Sequence, residues 1–300
     1  MKPKPNQPLA ALHRFSFEAI GTAWTVDIYE PVAEPVALQQ VVMERIAAYD
    51  ANYSRFRDDS LVAEMASRPG TYTLPDDAQP LFDIYQALYN LTDGAMTPLI
   101  GQTLADAGYD AQYSLRPKKL TAPPAWGEVL TYHFPTLTLK TSALLDVGAA
   151  GKGHIVDIVA TLLAQHNVRA YCVDAGGDIS YHNPAYQPMA VGLEHPGKPG
   201  EVVGVAHIHD QSMCGSAGNR RAWGEFHHII NPHTLASPRH LRALWVVADT
   251  TLVADALATA LFFVPAKTLA TRYTFEYAAI HDDYSLERSA AFPAEFFIAN

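Results

Sequence analysis

The sequence is poor in cysteine and in charge, and it has no long greasy run. Each shortage narrows what the chain does. Only Cys172 and Cys214 are present, far apart and outside any Cys-x-x-Cys pair. No disulfide framework is possible, and two buried thiols fit the pair better than a bridge, since free cysteine is among the most buried side chains. Charged residues make up 17% of the chain, below the roughly 25% of ordinary soluble domains. Basic residues are the scarcer kind: 21 Lys and Arg stand against 31 Asp and Glu, a formal charge of −10. A nucleic-acid binder needs a positive footprint to displace counterions from phosphate, so no nucleic-acid partner is expected. The longest apolar stretch, Leu252–Val264, carries Asp255 and is too short to span a bilayer. No apolar segment follows the basic start at Lys2 and Lys4, so nothing reads as a signal peptide. The expectation is a cytoplasmic protein with no membrane segment.

What is present is apolar. Hydrophobic residues make up 49% of 300 positions, too many for a disordered chain and enough for a sizeable core. Residues 1–14 read as a flexible, Pro-rich arm, and 15–300 as one domain. Phe15–Tyr29 is rich in aromatic and β-branched residues and reads as a strand or hairpin. Helical spacing marks Leu38–Tyr49, Leu81–Asn90, His154–His166 and Ala254–Phe263. Strand patterns fall at Leu137–Leu145, Arg169–Asp174, Met189–Leu193, Val202–His207, Ala243–Ala248 and Phe275–His281. Arg116–Gly127 is a Pro-studded surface connector. This irregular interleaving predicts an α+β fold with mixed, largely antiparallel sheets packed with helices.

Three local patterns carry chemistry. The first is Asp146-Val147-Gly148-Ala149-Ala150-Gly151-Lys152-Gly153, which runs straight into a helix. Small residues let backbone amides approach an anion there, and the helix dipole favours it. A tight turn with close helix packing would look the same. The spacing is neither a Walker loop nor a dinucleotide fingerprint. A second turn, Asp174 to Asp178, carries Gly176-Gly177. Next, Asp255 and Thr259 lie four residues apart and share a helix face among Ala and Leu. A bare carboxylate is costly there. A hard cation such as Mg²⁺ or Ca²⁺, which prefers oxygen ligands, is one resolution; a polar side that faces water or caps a neighbouring loop is the other. The third is His228-Ile229-Ile230-Asn231-Pro232-His233-Thr234, where His228 reads as a general base or as a structural histidine. The chain has 13 histidines, but no Cys or carboxylate completes a familiar zinc spacing.

Taken in order over about residues 15–265, these pieces resemble the ApbE family, the FAD:protein FMN transferases. The elements are Ile20-Gly21-Thr22, Ser54 to Ser60, and Thr92-Asp93-Gly94-Ala95-Met96-Thr97-Pro98-Leu99. Then come Asp146 to Asp157, Asp174 to Asp178, Ser216 before Arg220-Arg221, His228 to Thr234, and Asp255 to Thr259. The resemblance implies transfer of FMN from FAD to a Thr or Ser hydroxyl of a target flavoprotein. The product is a phosphoester, AMP is released, and Mg²⁺ is required. It places the cation on the Asp255 and Thr259 side chains and the Ala149 carbonyl. Asp146, Lys152, Ile20, Phe56, Ala95, Met96, Thr97 and Ile230 become FAD contacts, with Phe56 able to stack on a flat ring. His228 becomes the base for the incoming hydroxyl, and Lys152 with the helix N-terminus after it would hold phosphate or ribose oxygens. An FAD-storage protein and a metal-dependent FAD pyrophosphatase are the alternatives. Departures from the usual pattern are Ile20 for Met, Thr97 for Asp, Ala217 for Gly, Ala258 for a carboxylate and Leu235 for Gly. Leucine resists positive φ, so a different turn is expected at Leu235.

Overall fold

The computed structural model describes residues 10–183, 185 and 188–297. Positions 1–9 of the expected arm lie outside them. An eight-stranded sheet runs through the molecule, and its spatial order follows the chain. Its strands are β1 (His13–Ala19), β2 (Thr22–Ile28), β3 (Tyr171–Ala175), β4 (Ile179–His182), β5 (Gln211–Ala217), β6 (Leu241–Ala248), β7 (Glu276–His281) and β8 (Leu286–Arg288). Every pair in it is antiparallel. Helices enter as insertions. α1 (Pro35–Tyr53), α2 (Ala78–Leu91) and α3 (Gly151–Gln165) lie between β2 and β3, and α4 (Thr251–Ala260) lies between β6 and β7.

Alternation along β6 shows how the layers form. Leu244, Val246 and Ala248 join the main core beneath the helices, while Ala243, Trp245 and Val247 enter a second core on the other face. A smaller sheet, built from Met189–Glu194, Val202–Ile208 and Ala294–Phe296, contributes to that second core. With both faces buried, β6 reads as an unbroken apolar run. Cys172 and Cys214 are both free and belong to different cores, on opposite faces of the sheet. No helix among the described residues is long and apolar enough to cross a membrane.

Several boundaries differ from the sequence reading. Only Thr136–Leu139 of the expected Leu137–Leu145 strand is a strand; it pairs with Gly70–Thr73 and Leu130–His133. Beyond it the chain turns in against Gly101, where an added Cβ would meet the Leu144 carbonyl at 2.3 Å, and the Asp146 amide donates to the Pro98 carbonyl at 2.7 Å. That close approach replaces the strand ladder. α3 begins at Gly151, ahead of the expected His154, because its first turn holds Gly, Lys and Gly and lacks the apolar period; α4 begins at Thr251, ahead of the expected Ala254, where Thr250 caps it. α4 also stops at Ala260, short of Phe263. β5 reads Gln-Ser-Met-Cys-Gly-Ser-Ala, without the β-branched residues that announce a strand.

Candidate active site

A cleft of about 450 Å³ gathers residues from almost every chemically suggestive segment. Of the expected site residues, Phe56, Ala95, Met96, Thr97, Asp146, Ala149, Lys152, His228, Ile230, Asp255 and Thr259 all line it. Ile20 does not. It sits in the β1–β2 turn with φ of 49° and packs against the main core, while its neighbours Gly21 and Thr22 face the cleft. The turn needs positive φ at both central positions, and Gly21 supplies the second at 67°. Across the cleft mouth, Gly176 (φ 65°) lies so near Thr22 that a Cβ would meet its hydroxyl at 2.0 Å. Only glycine permits that approach.

The flank that the sequence reading assigns to a cation is made by α3 against α4. A Cβ on Gly153 would stand 2.2 Å from the Thr251 carbonyl and 2.7 Å from the Asp255 Cβ, so the two backbones nearly touch. Asp255 is 5% exposed, and its Oδ2 accepts from the Gly153 amide at 2.8 Å. Burial pushes its pKa up, opposed by the Lys152 charge and the Gly153 amide. In the other direction, Asp157 of α3 accepts from the Thr251 and Leu252 amides, both at 2.8 Å. Each helix thus lends a carboxylate to the other's N-terminus, where a negative charge is favoured. Thr259 lies one turn beyond Asp255. With the Ala149 carbonyl, these groups form an all-oxygen donor set of the kind a hard divalent cation prefers, and a buried carboxylate with few partners fits such an ion.

This arrangement revises one expectation. The α3 N-terminus is not an open anion cradle, because its amides are already engaged. Ala150 and Gly151 donate to the Val147 carbonyl at 3.2 and 2.8 Å, and Gly153 donates to Asp255. Lys152 still faces the cleft but is ion-paired with the buried Asp178. Asp146 is likewise engaged: it pairs with Arg55, and its Oδ1 accepts from the Gly148 amide at 2.7 Å.

On another flank, aromatic rings meet. Phe56 lies under the Arg55 guanidinium at 4.2 Å, stacks on Tyr113 at 5.0 Å and 8°, and meets Tyr109 edge-on at 5.4 Å. Tyr109 stacks in turn on Trp223 at 5.6 Å, and its hydroxyl accepts from Arg221 at 3.2 Å. A flat ligand ring seeking the stacked face of Phe56 would have to take the place of Tyr113. The Asn231 side chain accepts from the His233 and Thr234 amides at 2.9 and 3.3 Å, and His233 Nε2 donates to the Asp93 carbonyl at 2.9 Å. Ile230, buried just before this loop, packs with Leu104, Tyr109 and Trp223. Thr97 starts the short helix at Pro98, its hydroxyl accepting from the Leu99 amide at 3.2 Å, a capping task that Asp performs as well. Leu235 does adopt positive φ, 55°; the Leu235 amide donates to the Asn231 carbonyl at 2.8 Å. The loop keeps the turn a glycine would make, at a conformational cost to leucine.

His228 is half-buried. Its Nδ1 lies 3.1 Å from the Arg220 carbonyl. A carbonyl only accepts, so Nδ1 carries the proton and Nε2 keeps a lone pair. Burial, then Arg221, pushes its pKa down to about 3, so the ring is neutral at neutral pH. Sequence reasoning missed Tyr85, Tyr109, Arg55, Arg221 and Trp223. Arg55 and Arg221 both lie inside segments that carry the resemblance, beside Phe56 and after Ser216. Tyr85 was legible only as a core position of α2, and the loop residues lack any periodic signal.

Comparisons with known proteins agree with one another. The ApbE family profile matches residues 20–279. An FAD:protein FMN transferase of Haemophilus influenzae is 29% identical over 198 residues, 58% of this chain and 56% of its own length. That match therefore spans little more than half of the relative. One from Treponema pallidum is 27% identical over 276 residues, 81% of this chain and 76% of that protein. Among solved structures, the flavin transferase ApbE from Vibrio cholerae has a TM-score of 0.79 at 19% identity, covering 93% of this chain and 97% of that one. The ApbE protein from Thermotoga maritima has a TM-score of 0.80 at 19% identity, covering 94% and 99%. At such identity the likeness establishes the fold, and function must be argued from the site.

Proposed function

This chain belongs to the ApbE family, and on that premise we propose that it moves FMN from FAD to a Thr or Ser hydroxyl of a target flavoprotein in a Mg²⁺-dependent reaction. The observation carrying this reading is that one cleft is lined by residues of every matched segment from Thr22 to Thr259. Asp255, Thr259 and the Ala149 carbonyl would hold the cation. When bound, Mg²⁺ would offset charge on the diphosphate as AMP leaves.

The chain's own residues have separable tasks. Ala95, Met96, Thr97 and Ile230 shape the wall for the flavin, and Phe56 supplies an aromatic surface where a flat ring takes the place of Tyr113. Lys152, poised beside Asp178, brings a cation to the phosphate region. His228 Nε2 takes the proton of the incoming hydroxyl. The hydroxyl oxygen then bonds to the FMN phosphorus, the bond to the AMP oxygen breaks, and AMP departs with that electron pair. A base with a pKa near 3 is weak; an anionic ligand nearby raises it, because the charged imidazolium gains a partner. Cys172 and Cys214, both unpaired, suit a reducing compartment, and we place the protein in the cytoplasm.

The test uses purified protein, FAD, Mg²⁺ and a flavoprotein acceptor domain. Transfer yields an acceptor that fluoresces in a denaturing gel, with AMP in solution. Free FMN with AMP would mean hydrolysis, and intact FAD would mean storage; either result refutes transfer. Asp255→Ala should abolish the Mg²⁺-dependent product, and undiminished transfer would sink the metal assignment. His228→Ala should slow transfer while FAD still binds; loss of binding would make it a binding residue.

A further inference from the structure

Tyr85 stands on α2 with 1% of its surface exposed, yet it lines the cleft. Its hydroxyl has no hydrogen-bond partner among the described residues. A buried unpaired hydroxyl is costly, and phenylalanine would fill nearly the same volume without the cost. The position therefore calls for an acceptor. Asp146 and Asp255 lie near it, and the Ala149 backbone amide approaches its oxygen, which leaves the O–H donor without an acceptor. Neither carboxylate accepts from it. Asp146 is engaged by Arg55 and the Gly148 amide, and Asp255 by the Gly153 amide. A phenol keeps its proton at neutral pH, so the group is a donor there.

We propose that Tyr85 contacts the ligand directly, its hydroxyl donating a hydrogen bond to a diphosphate oxygen of FAD seated in the cleft. The inference rests on the flavin reading above. It makes Tyr85 part of the binding machinery, ready in the ligand-free protein and satisfied only when the cleft is filled.

Tyr85→Phe tests it by calorimetric titration with FAD in the presence of Mg²⁺, beside the melting temperature of the ligand-free protein. FAD affinity should fall roughly tenfold or more, the effect of losing a hydrogen bond to a charged group. The ligand-free variant should melt at the wild-type temperature or above it, since the orphaned hydroxyl is gone. Equal FAD affinity in variant and wild type overturns the proposal. So does a lower ligand-free melting temperature, which would reveal a structural partner for the hydroxyl. Should the wild-type chain itself bind no FAD, the flavin reading fails first and takes this proposal with it.

Discussion

On the proposed cation flank, α3 and α4 approach until Gly153 nearly touches the Thr251 carbonyl, and carboxylates reach across to the opposing amides. On the aromatic flank, Phe56, Tyr109, Tyr113 and Trp223 meet ring to ring, on segments far apart in the chain. Backbone contact leaves no room for a larger residue and fixes each oxygen closely. Ring contact has a shallow optimum and accepts several geometries. The first kind of construction suits a cation, whose ligands must sit at set distances. The second suits a flat organic group that slides over its support.

Substitutions ranked by expected effect would break or sharpen this contrast. Gly153→Ala should be the most severe, because the intruding Cβ meets backbone that cannot rotate away. A loss of about 3 kcal/mol in denaturant unfolding, together with loss of Mg²⁺-dependent transfer, is expected; wild-type unfolding would show that the helices separate easily. Asp157→Ala comes next. It removes the two carboxylate oxygens that accept from the Thr251 and Leu252 amides, leaves Thr250 as the capping side chain of α4, and should cost about 2 kcal/mol, read from the same unfolding curves. Phe56→Ala should cost only about 1 kcal/mol in stability, as a half-buried ring, while FAD affinity drops roughly tenfold. Phe56→Tyr should retain both, and an equal loss from Tyr would make the ring's edge, not its face, the feature that matters. Leu235→Gly is the mildest change. Relief of the positive-φ cost should stabilise the protein by about 0.5 kcal/mol, visible as a small rise in melting temperature; a fall would mean that leucine's packing outweighs its strain.

The same contrast explains what the sequence made legible. The cation flank is written in two short runs, Asp146 to Asp157 and Asp255 to Thr259, so spacing alone brought Asp255 and Thr259 to one face. Which helix Gly153 would press against was not readable, since that needs the partner's position. The reading of the α3 N-terminus as an anion cradle failed for a related reason: the carboxylate that occupies it lies on another helix. The aromatic flank was almost silent beyond Phe56. Tyr109, Tyr113 and Trp223 lie outside any periodic segment. Tyr85 carries an ordinary core pattern, and only its missing partner sets it apart.

The order of the large sheet has a consequence for synthesis. Because spatial order equals chain order, β1 and β2 leave the ribosome as a ready hairpin. The partner of β2, however, is β3, and residues 29–170 must be made before it arrives. Through that interval β2 presents an unpaired edge, an invitation to pairing with another nascent chain. The helical insertion that builds the cation flank is therefore also a delay, and its prompt collapse over the hairpin is what would keep the young edge covered.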